Sequence, residues 1–224
     1  MHMKKGLTEL VFILDRSGSM AGLESDTIGG FNSMIQKQQK EEGEVNVTTV
    51  LFDDQIEPVH DRFPLSIVKP LTEDDYYVRG MTALLDAVGS TVKKMENIQN
   101  RLPDDMKAEK VLVVITTDGM ENASREYTAK MVKEMIEKNQ EQGWQFLFLG
   151  ANMDAAEEAE KIGIRRTHAT SYRNDSKGVE LNFSAAGKVI SCMRKSSCKK
   201  EEMDVILPDY LRPVKEHLEG KATE

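Results

Sequence analysis

Cysteine is almost missing from this 224-residue sequence; only Cys192 and Cys198 occur. They stand six apart in a segment with helical patterning, so they fall on different helix faces and read as two reduced thiols, not a disulfide or half a metal site. Positive charge is also in deficit, with 30 Lys and Arg against 38 Asp and Glu and a net charge of −8. That balance argues against nucleic acid as a partner, because phosphate contacts need clustered cations. The short basic groups, Arg165-Arg166 and Lys195 with Lys199-Lys200, read as solvated helix ends. Long apolar runs are missing too. Val111–Ile115 and Phe146–Leu149 fall far short of the roughly 20 residues a membrane-spanning helix takes. The apolar run Leu10–Leu14 meets Asp15 and Arg16 directly, with no small-residue cleavage pattern, so no signal peptide is expected. These absences lead to the expectation of a cytoplasmic protein that binds neither nucleic acid nor membrane.

What the chain does have is alternation. Leu10–Leu14 suits a strand buried on both faces. Gly22–Lys40 carries Ile28, Phe31 and Ile35 at helical spacing, and Gly43 ends it. Val45–Phe52 has β-branched alternation, and Gln55–Val59 follows after only Asp53-Asp54. Two residues permit a hairpin but no crossover, so that strand is expected to be antiparallel and at an edge. Asp61–Arg79, with Pro64 and Pro70, reads as an ordered connection. Ala83–Gln99 is predicted helical, Arg101–Glu109 a polar loop and Lys110–Thr116 a buried strand. Then come a helix over Ser124–Glu141 with Tyr127, Met131, Met135 and Ile136 on one side, a strand over Trp144–Leu149 and a short helix over Asp154–Lys161. A strand over Arg166–Ala169 and a helix over Ser184–Arg194 complete the series. This order specifies an α/β fold: a doubly wound, mostly parallel six-stranded sheet with one antiparallel edge strand and helices on both faces. Residues 1–200 are read as one domain. Residues 201–224, charged and carrying Pro208 and Pro213, are read as a tail that packs in part through Val205–Leu207 and Tyr210-Leu211.

In such sheets ligands sit beyond the carboxyl ends of the strands, where the strand order reverses. Asp15-Arg16-Ser17-Gly18-Ser19 follows the first strand, and Thr117-Asp118-Gly119 follows the strongest one. Gly80-Met81-Thr82-Ala83 precedes a helix on the same edge, where Thr82 is placed to cap it. Asp15, Ser17, Ser19, Thr82 and Asp118 are all hard oxygen donors, suited to Mg²⁺, with Mn²⁺ or Ca²⁺ as substitutes, and poorly suited to Zn²⁺ or copper. Two carboxylates balance a dication, and the neutral hydroxyls leave it able to take one more anionic oxygen.

These three loops resemble the metal-ion-dependent adhesion site (MIDAS) of von Willebrand factor A domains, including integrin I domains. The resemblance covers roughly residues 6–195, and all five positions hold the expected residue type. It implies that Ser17, Ser19 and Thr82 ligate the metal directly, that Asp15 and Asp118 act through water, and that a partner's Glu or Asp completes the shell. The function implied is a metal-dependent protein-binding module, an intracellular adaptor or assembly factor, without enzymatic activity. The alternative is a Mg²⁺-dependent phosphohydrolase of the haloacid-dehalogenase type with Asp15 as nucleophile. That chemistry calls for a second aspartate two residues on as general acid, and Ser17 stands there instead. No Gly-x-Ser-x-Gly elbow, phosphate-binding Gly-Lys loop or Gly-x-Gly-x-x-Gly occurs to support hydrolase or nucleotide chemistry.

Neighbouring residues carry lesser expectations. Arg16 is expected to point into solvent and steer an acidic partner, with a salt bridge as its rival role. Asp53 and Asp54 are explained by a hairpin turn. Glu121 and Asn122 are placed to hydrogen-bond behind the site, and Asn152 and Asp154 to cap the helix before Ala155. His60 and His168 read as surface or satisfied core, and Met20 and Met81 as an apolar rim.

Overall fold

The computed structural model describes residues 4–151, 153–195 and 200–221. Its strands and helices follow the order β1 (Lys4–Asp15), α1 (Glu24–Gln38), β2 (Val45–Phe52), β3 (Ile56–Pro64), α2 (Leu84–Arg101), β4 (Ala108–Thr117), α3 (Ala129–Glu141), β5 (Gln145–Ala151), α4 (Ala155–Lys161), β6 (Ala169–Tyr172), α5 (Ser176–Arg194) and α6 (Lys200–Leu218). The six strands form one sheet in the order β3-β2-β1-β4-β5-β6. All pairs are parallel except β2 with β3, which places the antiparallel strand at the edge as the short Asp53-Asp54 link requires.

Period-two alternation divides each central strand between two cores. Leu10, Phe12 and Leu14 of β1, Leu112 and Val114 of β4, and Leu147 and Leu149 of β5 join one core with residues of α1, α5 and α6. Val11 and Ile13, then Val111, Val113 and Ile115, then Phe146 and Phe148, join the other with residues of α2, α3 and α4. Burial on both faces explains why these strands read as unbroken apolar runs.

Several boundaries differ from the sequence reading. α3 begins at Ala129 instead of Ser124, with Thr128 accepting the Met131 amide as its cap. The preceding turn is held open because the Asp86 carboxylate of α2 accepts the amides of Arg125, Glu126 and Tyr127, which satisfies donors a helix start would otherwise leave unpaired. The buried face of α3 is Val132, Ile136 and Asn139, while Met131 is exposed. α5 begins eight residues before the expected Ser184, at Ser176, where Asp175 accepts the Gly178 amide. β6 is displaced to Ala169–Tyr172 because residues 166–168 form a single 3₁₀ turn.

Residues read as the start of a tail form α6. Met203, Leu207, Leu211 and Val214 recur at helical spacing and are buried, which outweighs the hydrogen bonds lost at Pro208 and Pro213. Among the described residues no helix is long and apolar enough to cross a membrane. Cys192 is buried; Cys198 lies outside the described residues.

Candidate metal site at the carboxyl end of the sheet

The strand order reverses between β1 and β4, and this is where the site forms. Leu14 is in register with Thr116, so the residues just past each strand, Asp15 and Thr117-Asp118, arrive side by side. Asp15 is 1 % exposed. Its Oδ1 accepts the Ser17 amide at 2.7 Å, which bends the chain back over the strand end, and its Oδ2 accepts the Thr117 hydroxyl at 2.6 Å.

That bend aims the two serines at one point. The Ser17 and Ser19 hydroxyls lie 3.1 Å apart, Ser19 Oγ donates to Asp118 Oδ1 at 2.6 Å, and Thr82 Oγ1 donates to Ser17 Oγ at 3.0 Å. Thr82 therefore does not cap α2: its hydroxyl is committed to the crevice, and Ala83 occupies the cap position without a side-chain bond. All five sequence-selected residues are thus brought together from three separate loops.

Gly119 keeps the centre of this cluster open. A Cβ built there would stand 2.5 Å from Thr82 Oγ1, 3.2 Å from Ser19 Oγ and 3.4 Å from Ser17 Oγ. Three hydroxyl oxygens and a carboxylate oxygen bonded to one of them thus surround a space that a single methyl group would fill. This donor set fits a hard divalent cation. Among the described residues no group of three His, Cys, Asp or Glu side chains is gathered for a metal, as expected where hydroxyls supply most of the donors.

The electrostatics match. Burial pushes the Asp15 carboxyl up to about 6, against the lowering influence of the Thr117 and Ser17 hydrogen bonds, and the Asp118 charge adds to the rise. Burial likewise raises Asp118 despite its bonds from Ser19 and Asn174. Two carboxyls are held in a crevice where, among the described residues, no protein cation bonds to either.

The loop carrying Thr82 is fixed from behind. Asn122 Oδ1 accepts the Thr82 amide at 2.8 Å, the Asn122 and Ala123 amides donate to Thr82 O, and Glu121 Oε2 accepts the Leu85 amide. The supporting positions of Glu121 and Asn122 are therefore seen. Asp154 caps α4 through the Glu157 amide, and Asn152 lies outside the described residues. His60 bonds Thr49 and His168 bonds Phe146 O, both within the core. Met81 is 52 % exposed and lies on the rim, whereas Met20 is buried and does not.

Arg16 overturns its expectation. It is fully buried, with Nε donating to Asp53 Oδ2 at 3.0 Å, Nη2 to Glu57 Oε2 at 2.6 Å and Nη1 to Asp75 O at 3.3 Å. Arg79 Nε reaches the same Asp53 oxygen at 2.6 Å, and both guanidinium groups lie over the Tyr77 ring. Asp53 is therefore more than a turn residue, since it anchors the loop leading to Thr82. This is the salt-bridge role, and it follows from a second strand-end carboxylate one strand away from Asp15.

Sequence reasoning also missed Asn174, whose Nδ2 donates to Asp118 Oδ2 at 3.1 Å, and Tyr76, whose hydroxyl donates to the Asp15 carbonyl. Asn174 lies just past the true end of β6, so the strand-end rule that selected Asp15 and Asp118 would have found it had that strand been placed three residues later.

The von Willebrand factor type A domain matches this chain over residues 9–183. No curated protein sequence is significantly similar to it. Among solved structures, the vWF domain of the type V pili tip protein Mfa5 from Porphyromonas gingivalis superposes with a TM-score of 0.60 at 10 % identity, covering 87 % of this chain and 98 % of that one. Proximal thread matrix protein 1 from the mussel byssus, with a zinc-occupied MIDAS motif, gives 0.56 at 14 % identity over 85 % of this chain and 47 % of that one. This chain thus spans about half the length of the byssus protein. Manganese-loaded TRAP protein from Plasmodium vivax gives 0.51 at 15 % identity, covering 75 % and 69 %. At these identities the likeness is one of fold.

Proposed function

This chain belongs to the von Willebrand factor type A domain family, and we propose that it is a protein-binding module that captures an acidic side chain of its partner through a divalent cation. Domains of this family typically act as metal-dependent protein-binding or adhesion modules. Ser17, Ser19 and Thr82 would hold the ion directly, with Asp15 and Asp118 balancing its charge. When bound, the cation supplies an electrophilic point that takes a carboxylate oxygen from outside. Mg²⁺ is the first choice for this all-oxygen set, with Mn²⁺ or Ca²⁺ as substitutes.

The observation that carries this reading is the space beside Gly119, lined by three hydroxyls and closed by one methyl group. The protein's own residues do the preparatory work. The Asp15 bend orients both serines, and the supports on Thr82 hold its hydroxyl over them. A binding role is favoured over phosphate-ester hydrolysis because Ser17 occupies the position where a general acid would be needed. A cytoplasmic adaptor is the setting proposed, supported by the scarcity of cysteine, two residues in 224.

Calorimetric titration with Mg²⁺ and Mn²⁺ tests the site. One-to-one binding is expected, abolished by Asp15→Ala and Ser17→Ala. Gly119→Ala is expected to abolish it, since its backbone is not in the left-handed region but the added Cβ would stand 2.5 Å from Thr82 Oγ1 and push that hydroxyl out of the cluster. Undiminished metal binding by Gly119→Ala would refute the placement, and metal-dependent turnover of a generic phosphate ester, lost in Asp15→Asn, would replace binding by catalysis.

A further inference from the structure

The C-terminal helix ends close to the metal site. α6 runs along β6 from its amino end, where Asp204 meets His168 and Arg165, to its carboxyl end, where His217 meets Asp175. The helix stops there: Gly220 is in the left-handed region, and the Gly220 and Lys221 amides return to the His217 and Glu216 carbonyls. Leu211 and Val214, both buried, hold this last stretch on the body of the domain. The His217 Nε2 lies 2.9 Å and 3.2 Å from the two Asp175 carboxylate oxygens.

Asp175 connects that histidine to the site. Burial would raise its carboxyl, but the hydrogen bonds of His217 and Gly178 and the Arg173 charge hold it below the usual range, so it is ionised and Nε2 is the donor. The same carboxylate caps α5 by accepting the Gly178 amide at 2.7 Å. The turn it closes is tight, since a Cβ at Gly178 would stand 1.8 Å from the Arg173 carbonyl oxygen. Asn174 stands inside this turn. Its Nδ2 donates to Asp118 Oδ2 at 3.1 Å, while its buried Oδ1 meets no donor among the described residues. With that one bond, the Asn174 side chain goes where the backbone of the turn carries it. Asp118 is thus held from two sides, by Ser19 on one carboxylate oxygen and by Asn174 on the other.

We propose that His217 is a positioning residue for the metal site: through Asp175 it fixes the turn between β6 and α5, and through Asn174 it fixes the Asp118 carboxylate. The inference rests on the metal site proposed above and extends it to a helix that supplies none of the five site residues. Groups outside a metal's immediate ligands orient those ligands, and losing one typically costs about ten- to a hundred-fold in affinity. Asn174 is such a group. His217 acts on Asp118 through two intervening residues, so its loss carries a smaller factor.

The test measures Mg²⁺ affinity of the full chain by calorimetry, with urea denaturation and amide hydrogen exchange in EDTA as metal-free readouts. Asn174→Ala is expected to weaken Mg²⁺ binding about ten-fold or more, and His217→Ala about five-fold. His217→Gln, whose side-chain amide can still donate to Asp175, should restore affinity to within about two-fold of the parent. The double variant should bind no more weakly than Asn174→Ala alone, because both residues act along one line. In EDTA the Gly178 amide should exchange several-fold faster in His217→Ala than in the parent. Asp204→Ala is the control, since it releases the opposite end of α6: it should lower the urea midpoint and leave Mg²⁺ affinity within about two-fold of the parent. Parent-like Mg²⁺ binding by His217→Ala, no rescue by His217→Gln, additive losses in the double variant, or an equal loss in Asp204→Ala each overturns the positioning role and leaves the metal site standing. Absence of Mg²⁺ binding by the parent overturns the metal site and this inference together.

Discussion

Asp15 and Asp53 close adjacent parallel strands, β1 and β2, and both are buried, yet their surroundings differ completely. Asp53 is met by two guanidinium groups, from Arg16 and Arg79, and by the Gln55 amide. Burial pushes its carboxyl upward, but the Arg79 and Gln55 hydrogen bonds and the charges of both arginines outweigh that and hold it below its usual value. Asp15 is met, among the described residues, by neutral donors of Thr117 and Ser17, and burial prevails, raising it to about 6. A buried carboxylate already neutralised by protein cations is a structural clamp. One left among neutral donors, beside a second carboxyl and a hydroxyl-lined space, is arranged to receive a cation from outside.

The sharpest way to break this contrast is to delete the clamp. Asp53→Ala strands the buried Arg16 guanidinium with only the exposed Glu57 carboxylate for charge, and removing one partner of such a buried pair costs about 3–5 kcal/mol. Urea denaturation is expected to show a loss of that size. Asp15→Asn should leave metal-free stability within about 1 kcal/mol of the parent, because it removes a charge the fold holds at a cost. Comparable losses from the two substitutions would erase the distinction.

Much of this could be read from residue order, and the exceptions have a common cause. Asp15, Ser17, Ser19, Thr82 and Asp118 were found because strand ends in an α/β sheet are predictable from apolar runs, and all five converge. Arg16 was misjudged because alternation places a residue on a side of the chain but says nothing of the charge waiting there; Asp53, one strand over, decided it. The starts of α3 and α5 were misplaced because side chains of Asp86, Thr128 and Asp175 determine them, two of these being local caps and one a contact across about 40 positions. α6 was hidden by Pro208 and Pro213, whose local penalty is visible in sequence while the burial of Leu207 and Leu211 that offsets it is tertiary.

The second prediction concerns what the unclamped carboxylate gains from an ion. Binding that stabilises only the folded state adds about 2.7 kcal/mol when the ligand is at a hundred times its Kd. A hundred-fold excess of Mg²⁺ or Mn²⁺ over Kd is therefore expected to raise the unfolding free energy from urea denaturation by that increment in the parent and in no measurable degree in Asp15→Asn or Gly119→Ala. Asp53→Ala, although much less stable, should keep a metal increment wherever it remains folded, because the Asp15, Ser17, Ser19 and Asp118 hydrogen bonds do not involve its carboxylate. An equal metal increment in the parent and in Asp15→Asn would show that the ion binds elsewhere.

The smallest effect separates the two carboxylates by pH. The folded-state value of Asp15, about 6, lies above its ordinary 3.8, so on this group alone the metal-free fold is most stable below 3.8 and loses that contribution as pH rises to about 6. Asp53 has the opposite sign, lowered in the fold, so its contribution is present above its ordinary value and is lost as pH falls through the lower folded one. A cation on the Asp15 side competes with the proton. Its apparent affinity should be flat above pH 7 and fall about ten-fold, or about 1.4 kcal/mol, per unit below 6 from this carboxyl alone. Differential scanning fluorimetry with and without Mg²⁺ from pH 8 to pH 5 checks this: the metal-induced rise in melting temperature should be full at neutral pH and diminish below 6. A rise that stayed constant to pH 5 would mean that Asp15 is already ionised in the metal-free fold, and the contrast with Asp53 would then rest on hydrogen bonding alone.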